Sequence, residues 1–165
     1  MTDNHLDGHP LWRYACALYD APGVAEACLA AQDRHGLNVN LALWACWLGA
    51  AGVALTPERV AQAHRTIAAW HDEVVALRAV RRRLKRPQAG VAEAWRETVR
   101  AQVQSAELAA EQVELAMLAG VQSATAGTGR PCAPANLALC VPGEALAGLA
   151  PLLRAAGEPG APAVL

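Results

Sequence analysis

Residues 56–84, TPERVAQAHRTIAAWHDEVVALRAVRRRL, decide the fold. Thr56-Pro57-Glu58 is a helix start, with Thr as the N-cap and Pro at the first helical position, where its missing N–H costs nothing. From there Val60, Ala63, Ile67, Trp70, Val74, Leu77, Arg81 and Leu84 recur in 3,4 spacing, the period of one helix face. A helix of this length needs partners along that stripe. The sequence on either side supplies them.

On the N-terminal side, His9-Pro10-Leu11 opens a helix that runs to about Tyr19 and is broken at Asp20-Ala21-Pro22-Gly23. A second, from Pro22 to His35, carries Val24, Ala27, Cys28 and Ala31 on one stripe and ends at Gly36, suited to a left-handed cap. Asn38 caps a third, apolar around its whole circumference through Leu41, Leu43, Trp44, Cys46, Trp47 and Leu48, the pattern of a central helix. The apolar run 41–55 is too short to span a bilayer. On the C-terminal side, Pro87 and Gly90 end the long helix. A last one, from about Val91 to Ala119, places Val99, Val103, Ala106, Ala110, Val113 and Met117 at heptad spacing, with Leu108 and Leu115 on a second row suited to a partner.

Composition agrees with an all-α class. The 165 residues include 39 Ala and 21 Leu against 14 Val and one Ile, strong in helix formers and poor in β-branched residues. The expected architecture is a compact bundle of four or five helices over 9–119, after a flexible N-terminus at 1–8. A Pro/Gly/Ala-rich tail follows at 120–165, mostly disordered, with one short helix over 144–156 burying Leu146, Leu149 and Leu153. Trp12, Trp44, Trp47, Trp70 and Trp95 are read as the large residues of an Ala-rich core that has no Phe.

The charge balance of 14 Lys and Arg against 15 Asp and Glu gives no global field for nucleic acid or an anionic membrane. Five cysteines, without a C-x-x-C pair, fit inert thiols in a reducing cytoplasm. The polar N-terminus lacks the pattern of a signal peptide. His64 and His71 stand too far apart on one helix to share a metal, and no nucleotide or nucleophile motif appears. No catalytic residue, metal or cofactor is expected.

Two segments remain as candidate sites. Between the second and third helices, Gln32, Asp33, His35 and Asn40 form a polar corner wedged between apolar helices. A carboxylate in the last turn of a helix faces the negative end of the macrodipole, so Asp33 calls for a partner; an unpaired Asn40 would cost about 1–3 kcal/mol. These residues either tie the turn or line a ligand or partner site. The run Arg81, Arg82, Arg83, Lys85, Arg86 is either a helix end favoured by the macrodipole or an anion-binding patch.

The block Leu11-Trp12-Arg13-Tyr14-Ala15, Leu18-Tyr19, Pro22-Gly23-Val24, Ala27-Cys28-Leu29, Gln32-Asp33, Gly36, Val39-Asn40-Leu41 and Trp44-x-x-Trp47-Leu48 resembles an uncharacterised proteobacterial family of unknown function. Ala69-Trp70, Val74-Val75, Leu77-Arg78 and Arg81-Arg82-Arg83-Leu84-Lys85 are similar to the same family. The resemblance implies a small soluble helical protein and brings no activity or site residue with it.

The residues themselves favour a non-enzymatic cytoplasmic module that contacts a protein partner or a second copy, through the second face of the last helix or the Asp33–Asn40 corner. The alternative is a small-molecule-binding protein or enzyme with a pocket around Asp33 and Asn40, Asp33 serving as acid or base and His35 or Asn40 orienting the ligand. Nucleic-acid association through the basic run is the third reading. Nucleic acid is disfavoured as a partner, and a membrane is not expected.

Overall fold

A computed structural model describes residues 8–121 and 131–157. The five helices read from the sequence are present: α1 (Pro10–Tyr19), α2 (Val24–His35), α3 (Val39–Ala50), α4 (Pro57–Arg83) and α5 (Glu93–Ala119). Their ends obey local chemistry. Asn38 caps α3 by accepting from Leu41 N at 3.1 Å, and Thr56 caps α4 by accepting from Arg59 N at 3.3 Å. Gly36 closes α2 at φ 65°, a left-handed conformation that glycine adopts without strain.

The centre of the fold is α3, with Leu41, Ala42, Leu43, Trp44, Ala45, Cys46 and Leu48 all buried. Around it pack α1, α2, α5 and the C-terminal helices, while α4 lies along α5 and closes that side. Pairs from His71–Glu114 through Arg78–Glu111 to Arg81–Glu107 run in opposite senses along the two helices, so α4 and α5 form an antiparallel hairpin. Every member of the 3,4 stripe of α4 is buried or half-buried, as the sequence requires.

The tail corrects one expectation. Within the described part of 120–165, α6 (Ala133–Cys140), α7 (Gly143–Leu146), a 3-10 turn at Ala147–Leu149 and α8 (Ala150–Gly157) are ordered elements of the bundle. Leu137, Leu149 and Leu152 are fully buried. What holds α6 is polar and short-ranged. Asn136, 1% exposed, accepts from Leu55 N at 2.9 Å and donates to Ala45 O at 3.2 Å and Val53 O at 2.8 Å. Cys132 N donates to Gly49 O at 2.9 Å, and a Cβ at Gly49 would stand 2.3 Å from Ala133 Cα, so the two backbones meet where glycine alone fits. The expectations for 1–7, 122–130 and 158–165 lie outside the described residues.

Two more corrections concern α5. Trp95 is not a core residue but 69% exposed. The apolar heptad is inward only in part: Ala110 is buried and Val103, Val113 and Met117 are half-buried, but Val99 and Ala106 are exposed, while the polar Arg96, Glu107 and Glu114 are buried against α4 and the body of the bundle. Leu108 and Leu115 do not form one row for a partner, since Leu115 is buried in the core.

Candidate functional site

The inward face of α5 carries Glu107, Glu111 and Glu114 at i, i+4 and i+7, one stripe of a helix. Facing it, α4 presents His71, Arg78 and Arg81, again on one stripe. The antiparallel hairpin brings the two stripes together in order. Arg78 donates to Glu107 at 3.1 Å and to Glu111 at 2.7 Å, and Arg81 donates twice to Glu107. This bidentate arrangement fixes the guanidinium planes.

At the inner end of the ladder, Glu114 is fully buried and accepts three hydrogen bonds: from Asn38 Nδ2 at 2.7 Å, Asn40 Nδ2 at 2.8 Å and His71 Nδ1 at 2.9 Å. Burial alone would raise its carboxyl, but the bonds from His71, Asn40 and Asn38 outweigh that and hold it below the ordinary carboxylate value. An ionised Glu114 requires a donor at His71 Nδ1. Geometry therefore assigns the ring proton to Nδ1 and leaves Nε2 to interact elsewhere. Glu111 is the opposite case. Burial pushes its carboxyl up more strongly than Arg78 pulls it down.

These groups form the floor of an open cleft of about 530 Å³, whose other walls come from α1, α2 and α3. Trp12, Leu29, Leu43 and Leu108 supply apolar surface, and Tyr19 and Asp20 lie at the end of α1. Burial pushes the Tyr19 phenol up to about 12, so it faces the cleft as a neutral hydroxyl. Gln32 also lines the cleft, with its Nε2 buried beside Asp33.

The polar corner read from the sequence is thus divided. Gln32 and Asn40 face the cleft. Asp33, half exposed, turns outward and accepts from Arg82 at 2.5 Å, and that hydrogen bond holds its carboxyl below the usual range. Arg82 is the partner that the last-turn carboxylate called for. His35 is exposed and does not line the cleft. The basic run is divided as well: Arg81 serves the cleft floor and Arg82 pairs with Asp33, whereas Arg83, Lys85 and Arg86 are exposed and make no ion pair among the described residues.

Sequence reasoning reads Asn38 only as the N-cap of α3, and misses Arg78, Glu107, Glu111 and Glu114 as site residues. His71 was weighed only as a metal ligand. The signal was present as two charged stripes of matching spacing on consecutive helices, hidden because an apolar period was being sought. Among the described residues, no group of three His, Cys, Asp or Glu is placed to hold a metal, and no helix is long and apolar enough to cross a membrane.

A family model described as a protein of unknown function, DUF2390, matches residues 10–118. The chain belongs to this family. The DUF2390 match spans α1 to α4 and all but the last residue of α5, and every residue of the cleft falls inside it. No curated protein and no solved structure gives a significant match.

Proposed function

We propose that the chain is a small-molecule-binding protein whose ligand occupies the cleft between α1, α2, α3 and the α4–α5 hairpin. The observation that carries this reading is the convergence of His71, Arg78, Arg81, Glu107, Glu111 and Glu114 on the floor of an open cavity whose opposite walls are apolar. A cavity of about 530 Å³ is in the range of sites for small organic ligands, which combine apolar walls with a few fixed polar groups. The sign of the charge narrows the ligand. Four carboxylates, Asp20, Glu107, Glu111 and Glu114, face the space against two guanidinium groups, Arg78 and Arg81. An amphipathic cation fits, with its charged end near Asp20, which makes no ion pair among the described residues, and its apolar body against Trp12, Leu29 and Leu43. Five free thiols support a reducing compartment, the bacterial cytoplasm, as the place of action.

A thermal-shift titration with phenethylamine and, in parallel, phenylacetate tests the reading. The amine raises the melting temperature and the carboxylate does not, and Leu29→Trp, which fills the cleft from the exposed side of α2, removes the shift. Equal response to both compounds, or an amine shift that survives Leu29→Trp, contradicts it. Contact with another protein is a second reading, favoured by the exposed apolar Trp95 and Val99 on the outer face of α5.

A further inference from the structure

The closed end of the α4–α5 hairpin extends past the core. Every buried residue of α4 lies at or before Val74, and over 93–106 of α5 only Arg96 is buried. At 1.5 Å per residue, the tip stands about 21 Å along the α5 axis from Glu107. Every residue from 85 to 95 is exposed.

Charge is concentrated at this end. Between residues 83 and 100 stand five cations, Arg83, Lys85, Arg86, Arg96 and Arg100, and two carboxylates, Glu93 and Glu97, a net charge of +3. The whole chain carries −1, so the remainder carries −4. A balance taken over the whole chain, on which no membrane partner is expected, hides this segregation. The two carboxylates are already answered within α5. Arg96 stands 3.7 Å from each, and Arg100 donates to Glu97 at 2.7 Å. Arg83, Lys85 and Arg86 make no ion pair among the described residues. The helix macrodipole accounts for Arg83 in the last turn, but Lys85 and Arg86 stand past the C-cap Leu84.

Beside these cations the same end exposes apolar surface, with Trp95 69% and Val91 42% exposed. Tryptophan with basic residues is the pattern of a membrane interface, where the ring sits at headgroup level and the cations meet lipid phosphates. From this coincidence we infer that the closed end of the hairpin docks on an anionic lipid bilayer, with Trp95 and Val91 entering the headgroup region and Arg83, Lys85 and Arg86 pairing with lipid phosphates. The docking is peripheral, since no described helix is long and apolar enough to cross a membrane. A nucleic-acid strand fits less well. Single strands are held by aromatic rings set in a cationic groove, whereas Trp95 stands with Val91, Ala92 and Ala94 at an end where each of them is exposed. The inference does not rest on the cleft or its ligand.

The full-length chain is sedimented with sucrose-loaded vesicles of phosphatidylcholine alone and of phosphatidylcholine with about 30% phosphatidylglycerol. Binding to the anionic vesicles is expected to be at least roughly tenfold the stronger, and to weaken in about 0.5 M salt. Each cation near such a surface contributes a factor of about five, so Arg83→Gln/Lys85→Gln/Arg86→Gln binds about a hundredfold more weakly. Trp95→Ser loses about tenfold on the same vesicles through its lost apolar area. All four side chains are exposed, so far-UV circular dichroism stays unchanged and separates loss of docking from loss of fold. No binding, equal binding to the two compositions, or wild-type binding by either variant would each overturn the inference. So would tighter binding to a single-stranded oligothymidylate than to the anionic vesicles with the same loss in Trp95→Ser, which would assign this end to nucleic acid.

Discussion

Replacing Glu114 by Gln is the most informative single change. The side chain keeps its shape and loses its charge at a point that is fully buried and accepts three hydrogen bonds. With its oxygen placed where Oε1 was, Gln can still accept from Asn38 and His71, but its amide then faces Asn40 Nδ2, donor against donor. One buried donor goes unsatisfied at a cost of about 1–3 kcal/mol, and two bonds that ended on a charged acceptor become neutral at about 1 kcal/mol each. The sum is a loss of about 3–5 kcal/mol, which for a chain of this size lowers Tm by roughly 10 °C. Urea unfolding followed by circular dichroism measures it. Asn40→Ala in the Glu114→Gln background then costs less than in the wild type, by about 1 kcal/mol or more, because the two side chains share one bond. A loss below about 1 kcal/mol for Glu114→Gln, or strict additivity with Asn40→Ala, refutes the buried ionised carboxylate as the anchor of the cleft floor.

Three further outcomes follow from the same geometry. Because the folded Glu114 titrates below the ordinary carboxylate value, its contribution to stability is complete above about pH 4.3 and is lost as the pH falls through its lower folded value. Glu111, titrating above that value, acts with the opposite sign: its contribution is complete at low pH and fades as the pH rises through its folded value. The acid limb of a stability profile is therefore steeper in the wild type than in Glu114→Gln. Asp33→Asn removes an exposed ion pair outside the cleft and moves Tm by no more than about 2 °C, as read by differential scanning fluorimetry, with ligand binding unchanged. Asn136→Ala leaves Leu55 N, Ala45 O and Val53 O without their partner and destabilises the whole bundle by about 2–4 kcal/mol in urea; a change confined to fraying of residues 131–157 would show that α6 is peripheral.

The helical part of the fold was largely legible because its signals are local. Thr56, Asn38 and Gly36 mark helix ends by chemistry that does not depend on distant residues. The stripe of α4 is visible because its inward residues are mostly apolar. On α5 the same rule misled, since the inward face carries Arg96, Glu107 and Glu114, and apolar Val99 and Trp95 face out. A buried carboxylate is stable only when donors from α3 and α4 converge on it, and those donors lie 43 to 76 residues away in the chain. The C-terminal helices were obscured for a related reason. Gly and Pro weaken their local propensity, and what orders them is Asn136 bonding to α3 and its following turn, together with a backbone contact at Gly49. Asp33 looked chemical because a last-turn carboxylate is unfavourable. Its explanation was Arg82, brought back 49 residues later by the hairpin.

The central claim, that the cleft over His71 and Glu114 holds a small cationic ligand, is tested most directly by native mass spectrometry of the protein purified gently from its own host with no eluting ligand present. The account expects an added mass of roughly a few hundred daltons, fitting the cavity volume, that is present on the wild-type chain and absent from Leu29→Trp. A bare chain or bare oligomer, or an adduct equally present on Leu29→Trp, would contradict it.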